Sequence, residues 1–127
     1  MTDYLTVADI LAIHEDQIER YGGRSGVRDL GLLESAVYRP QSGYYPDLIA
    51  EAASLWESLS RNHPFVDGNK RVGFAATFTF LAINGVRIVT DPIAAFAFIS
   101  ELFETGRFRF DALDPWLRAH TQPEERR

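Results

Sequence analysis

The sequence predicts an all-α domain of about six helices packed around one central buried helix. Three observations carry this reading. Apolar residues recur at helical spacing along nearly the whole chain. Capping residues and Gly or Pro stops bracket those segments. One segment, about 69–84, is apolar on almost every side.

A first helix is expected from about Val7 to Tyr21, with Thr6 as N-cap and Asp9 at the capping-box position. Its stripe is Val7, Ile10, Leu11 and Ile18, and Gly22-Gly23 stops it. A short second helix covers about Asp29 to Tyr38 and is ended by Pro40. Gln41-Ser42-Gly43-Tyr44-Tyr45-Pro46 then reads as an exposed loop or short extended flap. A third helix, about Asp47 to Arg61, aligns Leu48, Ala52, Leu55, Trp56 and Leu59. Pro64 breaks the chain after it, so His63 stands where a side chain can project into a cleft. The fourth helix, about Asn69 to Asn84, carries Val72, Phe74, Ala75, Phe78, Phe80, Leu81 and Ile83 around its circumference and is the expected centre of the domain, with Gly85 just past its end. A fifth helix starts at Asp91-Pro92, as N-cap and first helical residue, and ends at Thr105-Gly106; a last one lies within about Asp111 to His120. Val86-Arg87-Ile88-Val89 reads as a short strand without an evident partner. Residues 1–121 are read as a single domain and 122–127 as a solvated tail.

A chain of 127 residues suits one domain. It has no cysteine, so disulfide and thiolate chemistry are excluded. There is no basic-plus-apolar leader and no apolar run of the ~18 residues a spanning helix needs, so a soluble cytoplasmic protein without membrane contact is expected. A net charge of −5 argues against a direct nucleic-acid partner, whose footprint is a basic surface.

Against that acidic background stands His63-Pro64-Phe65-Val66-Asp67-Gly68-Asn69-Lys70-Arg71. Basic residues in the first turn of a helix oppose its dipole, at a cost of roughly 0.3–1 kcal/mol each. Lys70 and Arg71 occupy that turn anyway, and a bound polyphosphate would reverse the sign of the penalty. Lys70 is also the single lysine among 13 basic residues, a compact point charge in a chain that otherwise uses arginine. Taken singly, His-Pro, Asp-Gly and Asn are ordinary turn and cap residues; it is their combination with Lys-Arg that points to a site. Gly68 and Gly73 have P-loop spacing, but Phe74-Ala75 replaces the required Lys-Ser/Thr, so the match is a decoy. Without cysteine or a His-Glu-x-x-His pair a zinc site is not expected. His14 reads as a partly buried structural residue and His120 as exposed. Arg61, two before His63, is open to either a phosphate contact or a helix-end pairing.

The nine-residue segment resembles the signature of the Fic/Doc family, His-x-Phe-x-(Asp/Glu)-Gly-Asn-x-Arg. The Lys before the Arg makes it similar to the Doc (death-on-curing) branch, toxins of bacterial type II toxin–antitoxin pairs. The resemblance extends to the chain length, to Arg20-Tyr21-Gly22-Gly23 and to the Gly/Asp-rich link that follows. It implies a compact helical fold and transfer of part of ATP onto a protein hydroxyl. His63 would then be the general base, a role suited to a side chain that changes charge near neutral pH. Asp67 would hold Mg²⁺. Gly68 would admit the phosphates to the backbone, Asn69 would cap the fourth helix and touch phosphate, and Lys70 and Arg71 would neutralise charge on the transferring group, with Arg61 a further candidate nucleotide ligand. Phe65 would anchor the loop in the core. Arg39, Gln41, Ser42, Gly43, Tyr44 and Tyr45 would form the flap on which a target strand docks.

Two departures from the adenylyl-transferring members bear on the reaction: Phe74 stands where they carry a second Arg, and Lys70 where they carry Gly. In the Doc branch the resemblance implies a reversed ATP with its γ-phosphate at the reaction centre, hence protein phosphorylation. Adenylyl transfer, or an inactive module that binds nucleotide or partner, is the alternative. The resemblance also suggests elongation factor Tu as target. Members that restrain themselves carry (Ser/Thr)-x-x-x-Glu-(Gly/Asn); the nearest match here, Ser100 to Glu104, is followed by Thr105. Control by a Phd-like antitoxin in trans is therefore expected, through a disordered arm that folds into a groove.

Overall fold

A computed structural model of the chain describes residues 1–124. Its helices are α1 (Val7–Tyr21), α2 (Leu30–Tyr38), α3 (Leu48–Arg61), α4 (Asn69–Ile83), α5 (Pro92–Glu104) and α6 (Phe110–Ala119). A single 3₁₀ turn, Arg39–Gln41, follows α2. The expected all-α domain is the observed one, and most boundaries are set by local chemistry. Thr6 and Asp9 form the capping box of α1. Asp29, Asp47 and Asp91 cap α2, α3 and α5 through their carboxylates. The first turn of α6 is served from a distance, by Glu57 of α3 accepting from the Phe110 N–H at 2.6 Å.

The core forms where α3 crosses α4. Trp56, Leu59, Val72, Ala76 and Phe80 are buried there, with Leu33 of α2, Ile10 of α1 and Leu113 and Leu117 of α6 packed around them. Gly73 makes the close crossing possible, because a Cβ at that position would overlap the Ser60 hydroxyl. The second glycine of the P-loop-like spacing is thus a packing residue in mid-helix. Arg118 of α6 forks onto the Asp47 carboxylate with two contacts of 2.9 Å, tying the last helix to the start of α3.

Three expectations change. The strand at Val86–Ile88, β1, finds its partner in β2 (Thr121–Pro123), antiparallel with Arg87 opposite Gln122. The chain therefore does not leave the fold at residue 121: Gln122 and Pro123 complete a ladder that β1 cannot form alone, and the Glu124 N–H still donates to Gly85 O at 2.8 Å. The rest of the expected tail, 125–127, lies outside the described residues. His120, expected to be exposed, is half-buried; its ring stacks on Trp116 at 4.2 Å and its Nδ1 donates to the Trp116 carbonyl. Finally, α4 is buried on only part of its circumference. Ile83 is 46% exposed at the end of α4, and Phe78 is 43% exposed because α5 meets the core through Ala95 and Leu102 and leaves a groove of about 820 Å³ beside α4.

Candidate functional site

The motif occupies the loop between α3 and α4 and the first turn of α4. This loop is held from below by the core and from one side by the link between α1 and α2. Phe65 is 1% exposed, and its burial, on the order of 1.5–3 kcal/mol, anchors the loop as expected. The link runs alongside: the Arg28 and Asp29 N–H groups donate to Pro64 O at 2.8 and 3.0 Å, and the Val66 N–H donates to Gly26 O at 3.0 Å. His63 sits at φ 52, an uncommon conformation for a residue with a Cβ. The Arg28 side chain holds it there, donating from Nε to His63 O at 2.6 Å and from Nη2 to Asn62 O at 2.9 Å. Asn62 is the C-cap of α3, so the guanidinium also complements that helix's dipole.

Asn69 departs from its expected role as a cap. Gly68 occupies the N-cap position, in the left-handed region at φ 76 that glycine adopts without strain. The Asn69 side chain is buried and folds back: Oδ1 accepts from the Phe65 N–H at 3.0 Å and Nδ2 donates to Phe65 O at 3.0 Å. The reason lies in the burial of the loop. A buried loop must pair its own main-chain groups, and Phe65 has no ladder to do so. The other Nδ2 hydrogen faces the exposed His63 ring, whose Nδ1 accepts it at 3.3 Å, a long contact.

With Asn69 turned away, α4 is, among the described residues, the one helix whose first turn has no side-chain acceptor; the other five are capped by Thr6, Asp29, Asp47, Asp91 and Glu57. Free N–H groups at the positive end of a helix attract an anion. Beside them lie the Asp67 carboxylate and the Arg71 guanidinium, both already oriented. Asp67 Oδ2 accepts from the Arg24 N–H at 3.1 Å and Oδ1 from the Gly68 N–H at 2.8 Å. The Arg24 and Gly68 amides, with the Arg71 and Arg24 charges adding to them, hold the Asp67 carboxyl below the usual carboxylate range. Arg71 donates to Gly22 O at 2.9 Å and Gln17 O at 3.3 Å, at the carbonyl end of α1. One hard carboxylate that keeps lone pairs free suits Mg²⁺, which takes most of its oxygen shell from phosphates and water. Among the described residues no three His, Cys, Asp or Glu side chains gather into a self-sufficient cage.

The loop thus brings His63, Asp67, Gly68, Asn69 and Arg71 together. Lys70 points elsewhere: its Nζ lies 4.2 Å over the Phe103 ring of α5, at the head of the groove. Arg61 is exposed in the last turn of α3, where its charge complements the dipole, and among the described residues no side-chain hydrogen bond or ion pair ties it to the loop. In the flap, Gln41, Ser42, Gly43 and Tyr44 are exposed, and Gln41 donates to Val37 O at 3.2 Å. Arg39 is committed to structure, pairing with Glu57 at 2.7 Å and donating to Ser58 Oγ and the Tyr45 hydroxyl. Tyr45 is half-buried against Phe110 at 5.4 Å.

Sequence reasoning missed His14, Gly23, Arg24 and Arg28 as neighbours of the loop. The signal available was the cluster Gly22, Gly23 and Gly26, read only as a helix stop and link. At Gly23, φ 117, an added Cβ would stand 2.8 Å from Asp67 Oδ2 and 3.0 Å from Arg71 Nη2. Gly23→Ala should therefore cost about 1–3 kcal/mol of stability and displace both charges. Chemical denaturation and calorimetric titration with Mg-ATP read the two effects; unchanged nucleotide binding would show that this link does not shape the carboxylate.

Fold and site together define a class: a small helical protein whose motif loop leads into the uncapped N-terminus of its core helix. A sequence model of the Fic/DOC family matches residues 4–81, and the chain belongs to that family. It is 48% identical to Toxin Doc of Mycolicibacterium smegmatis over 96 residues, covering 72% of each chain. It is 31% identical over 93 residues to Protein kinase doc of Escherichia phage P1, covering 70% of this chain and 74% of that one.

Proposed function

We propose that this chain is the toxin of a type II toxin–antitoxin pair and a protein Ser/Thr phosphotransferase that moves the γ-phosphate of ATP to a hydroxyl of a target protein. The observation that carries the reading is the uncapped N-terminus of α4 with Asp67 and Arg71 locked beside it and an exposed His63 at the loop's other end. The names of the two relatives, a toxin and a protein kinase, support the same direction.

In the proposed step His63 removes the proton of the acceptor hydroxyl. The oxygen forms a bond to the γ-phosphorus as the bond to the β–γ bridging oxygen breaks; ADP leaves, and the imidazolium returns its proton to solvent. Arg71 and the free N–H groups of α4 meet the phosphate charge, and Lys70 joins them by swinging off Phe103. Mg²⁺ held by Asp67 would neutralise charge on the phosphates. The family resemblance points to elongation factor Tu as target, and hence to arrested translation.

Labelled ATP and a cell extract test the reading. Protein label from γ-³²P but not α-³²P is the expected result. Label from α-³²P means adenylyl transfer, and no label leaves a binding module. No helix among the described residues is long and apolar enough to cross a membrane.

The target is proposed to dock on the flap through Tyr44, which is 83% exposed. Tyr45 is a poor probe because it packs against Phe110. Tyr44→Gly should weaken target modification more than ATP binding; equal loss of both would make the loop structural. The antitoxin is proposed to lay a Phd-like arm in the groove between α4 and α5. Its walls, Phe74, Phe78, Phe96 and Ile99, are apolar, and Lys70 and Arg71 at one end suit an acidic arm. Phe96→Glu should leave toxicity intact and prevent rescue by the neighbouring antitoxin gene. Rescue as in the wild type would place the arm elsewhere.

A further inference from the structure

A buried histidine of α1 contacts the site and takes no part in the chemistry proposed above. His14 is 2% exposed and stacks on Phe65, with ring centroids 3.8 Å apart and planes within 5°. Its Nε2 lies 2.7 Å from the main-chain oxygen of Asp67. A carbonyl oxygen can only accept, so Nε2 carries the hydrogen and donates.

The consequence follows from peptide geometry. In a trans peptide the C=O and the next N–H point in opposite directions. His14 draws the Asp67 carbonyl inward, under the loop. The Gly68 N–H of the same peptide then faces outward, where it donates to Asp67 Oδ1 at 2.8 Å. Gly68, at φ 76, has no Cβ to resist rotation of this peptide, so sterics alone do not select its orientation. A rotated peptide would aim an oxygen, not an N–H, at the Asp67 carboxylate and at any anion beside it.

We propose that His14 is a positioning residue: by donating to the Asp67 carbonyl it fixes the Asp67–Gly68 peptide, and through it the carboxylate that faces Mg²⁺ and the phosphates. The Mg²⁺ part of this inference rests on the nucleotide reading above; the peptide-orienting part does not. His14 acts on the loop in the way that outer partners orient a metal ligand, whose loss typically costs about 10–100-fold in metal affinity or activity.

The test uses three variants of the full chain. His14→Phe keeps the stack and removes the donor. His14→Gln and His14→Met are close in shape and differ in the donor. The first readout needs neither metal nor activity: the amide signal of Gly68, its shift and its protection from hydrogen exchange. The Phe and Met variants should lose both features while Gln retains them. The second readout is Mg-ATP affinity, which should fall about 10–100-fold in Phe and Met and stay near wild type in Gln.

A Gly68 amide unchanged in folded Phe and Met variants overturns the proposal, and so does a folded Gln variant that behaves like Met. Should the donor-free variants fail to fold, the wild type still decides: long-range ¹⁵N correlation of its imidazole must show the His14 proton on Nε2, and a ring protonated only at Nδ1 overturns the inference. If the Gly68 signal behaves as expected but the wild type transfers no γ-phosphate, the phosphotransferase reading fails and the role of His14 stands.

Discussion

His63→Ala should abolish phosphate transfer to the target and relieve growth arrest, with a rate loss of about 10²–10⁴-fold, the usual contribution of a general base. The fold should survive, because His63 is exposed and the loop is held by Phe65, Asn69 and Arg28. Nucleotide affinity should change little, since Asp67 and Arg71 are oriented by the α1–α2 link and the end of α1. Because residue 63 sits at φ 52, alanine there adds some backbone strain, and His63→Asn is the companion variant: asparagine tolerates that region and is no base. Growth assays on induced cells and γ-³²P labelling of the target read the result. A toxic, transfer-competent His63→Ala protein would remove His63 from the mechanism.

Lys70→Gly should slow phosphoryl transfer by about 10²–10³-fold, the loss that accompanies removal of one electrostatic contact to a transition state. At rest Lys70 lies over Phe103, and a cation–π contact at an exposed site holds it by only about 0.5–1 kcal/mol. A polyphosphate at the N-terminus of α4 offers a stronger attraction, so the side chain is free to leave the ring. Glycine at this position costs about 1 kcal/mol of helix propensity, too little to unfold the domain. It would also bring the loop nearer to the form found in adenylyl-transferring relatives, although Phe74 still lacks the second Arg's charge. Mass spectrometry of the modified target separates a phosphate from an AMP adduct. If Lys70→Gly phosphorylates at the wild-type rate, Lys70 has no catalytic part and its being the chain's single lysine is an accident of composition.

The helices were legible because their signals are local. Thr6 with Asp9, the carboxylates Asp29, Asp47 and Asp91, and the stops at Gly22 and Pro40 each act within a few residues, and the observed ends fall on them. Phe65 was expected as an anchor from the family resemblance, and it is buried while its apolar neighbour Val66 is exposed. The motif was legible because its chemistry is contiguous: His63 to Arg71 lie in one loop and one turn. Asn69 was misread for the opposite reason. An N-cap is a property of a short sequence, but whether the side chain serves the helix or the loop depends on which main-chain groups tertiary packing has buried.

By itself, then, the sequence determined an all-helical domain, the order and near-boundaries of its helices, and the motif's membership of a recognisable pattern. Tertiary structure decided what surrounds that motif. His14 and Asp67 are 53 positions apart and Arg28 and His63 are 35 apart, yet each pair is in hydrogen-bond contact. It also decided that β1 pairs with β2, that Lys70 rests on Phe103, and that Arg39 belongs to Glu57 and not to an open flap. Capping and periodicity are short-range forces and are written in neighbouring residues. The pairing of buried polar groups is settled only when distant segments meet, so no local pattern announces it.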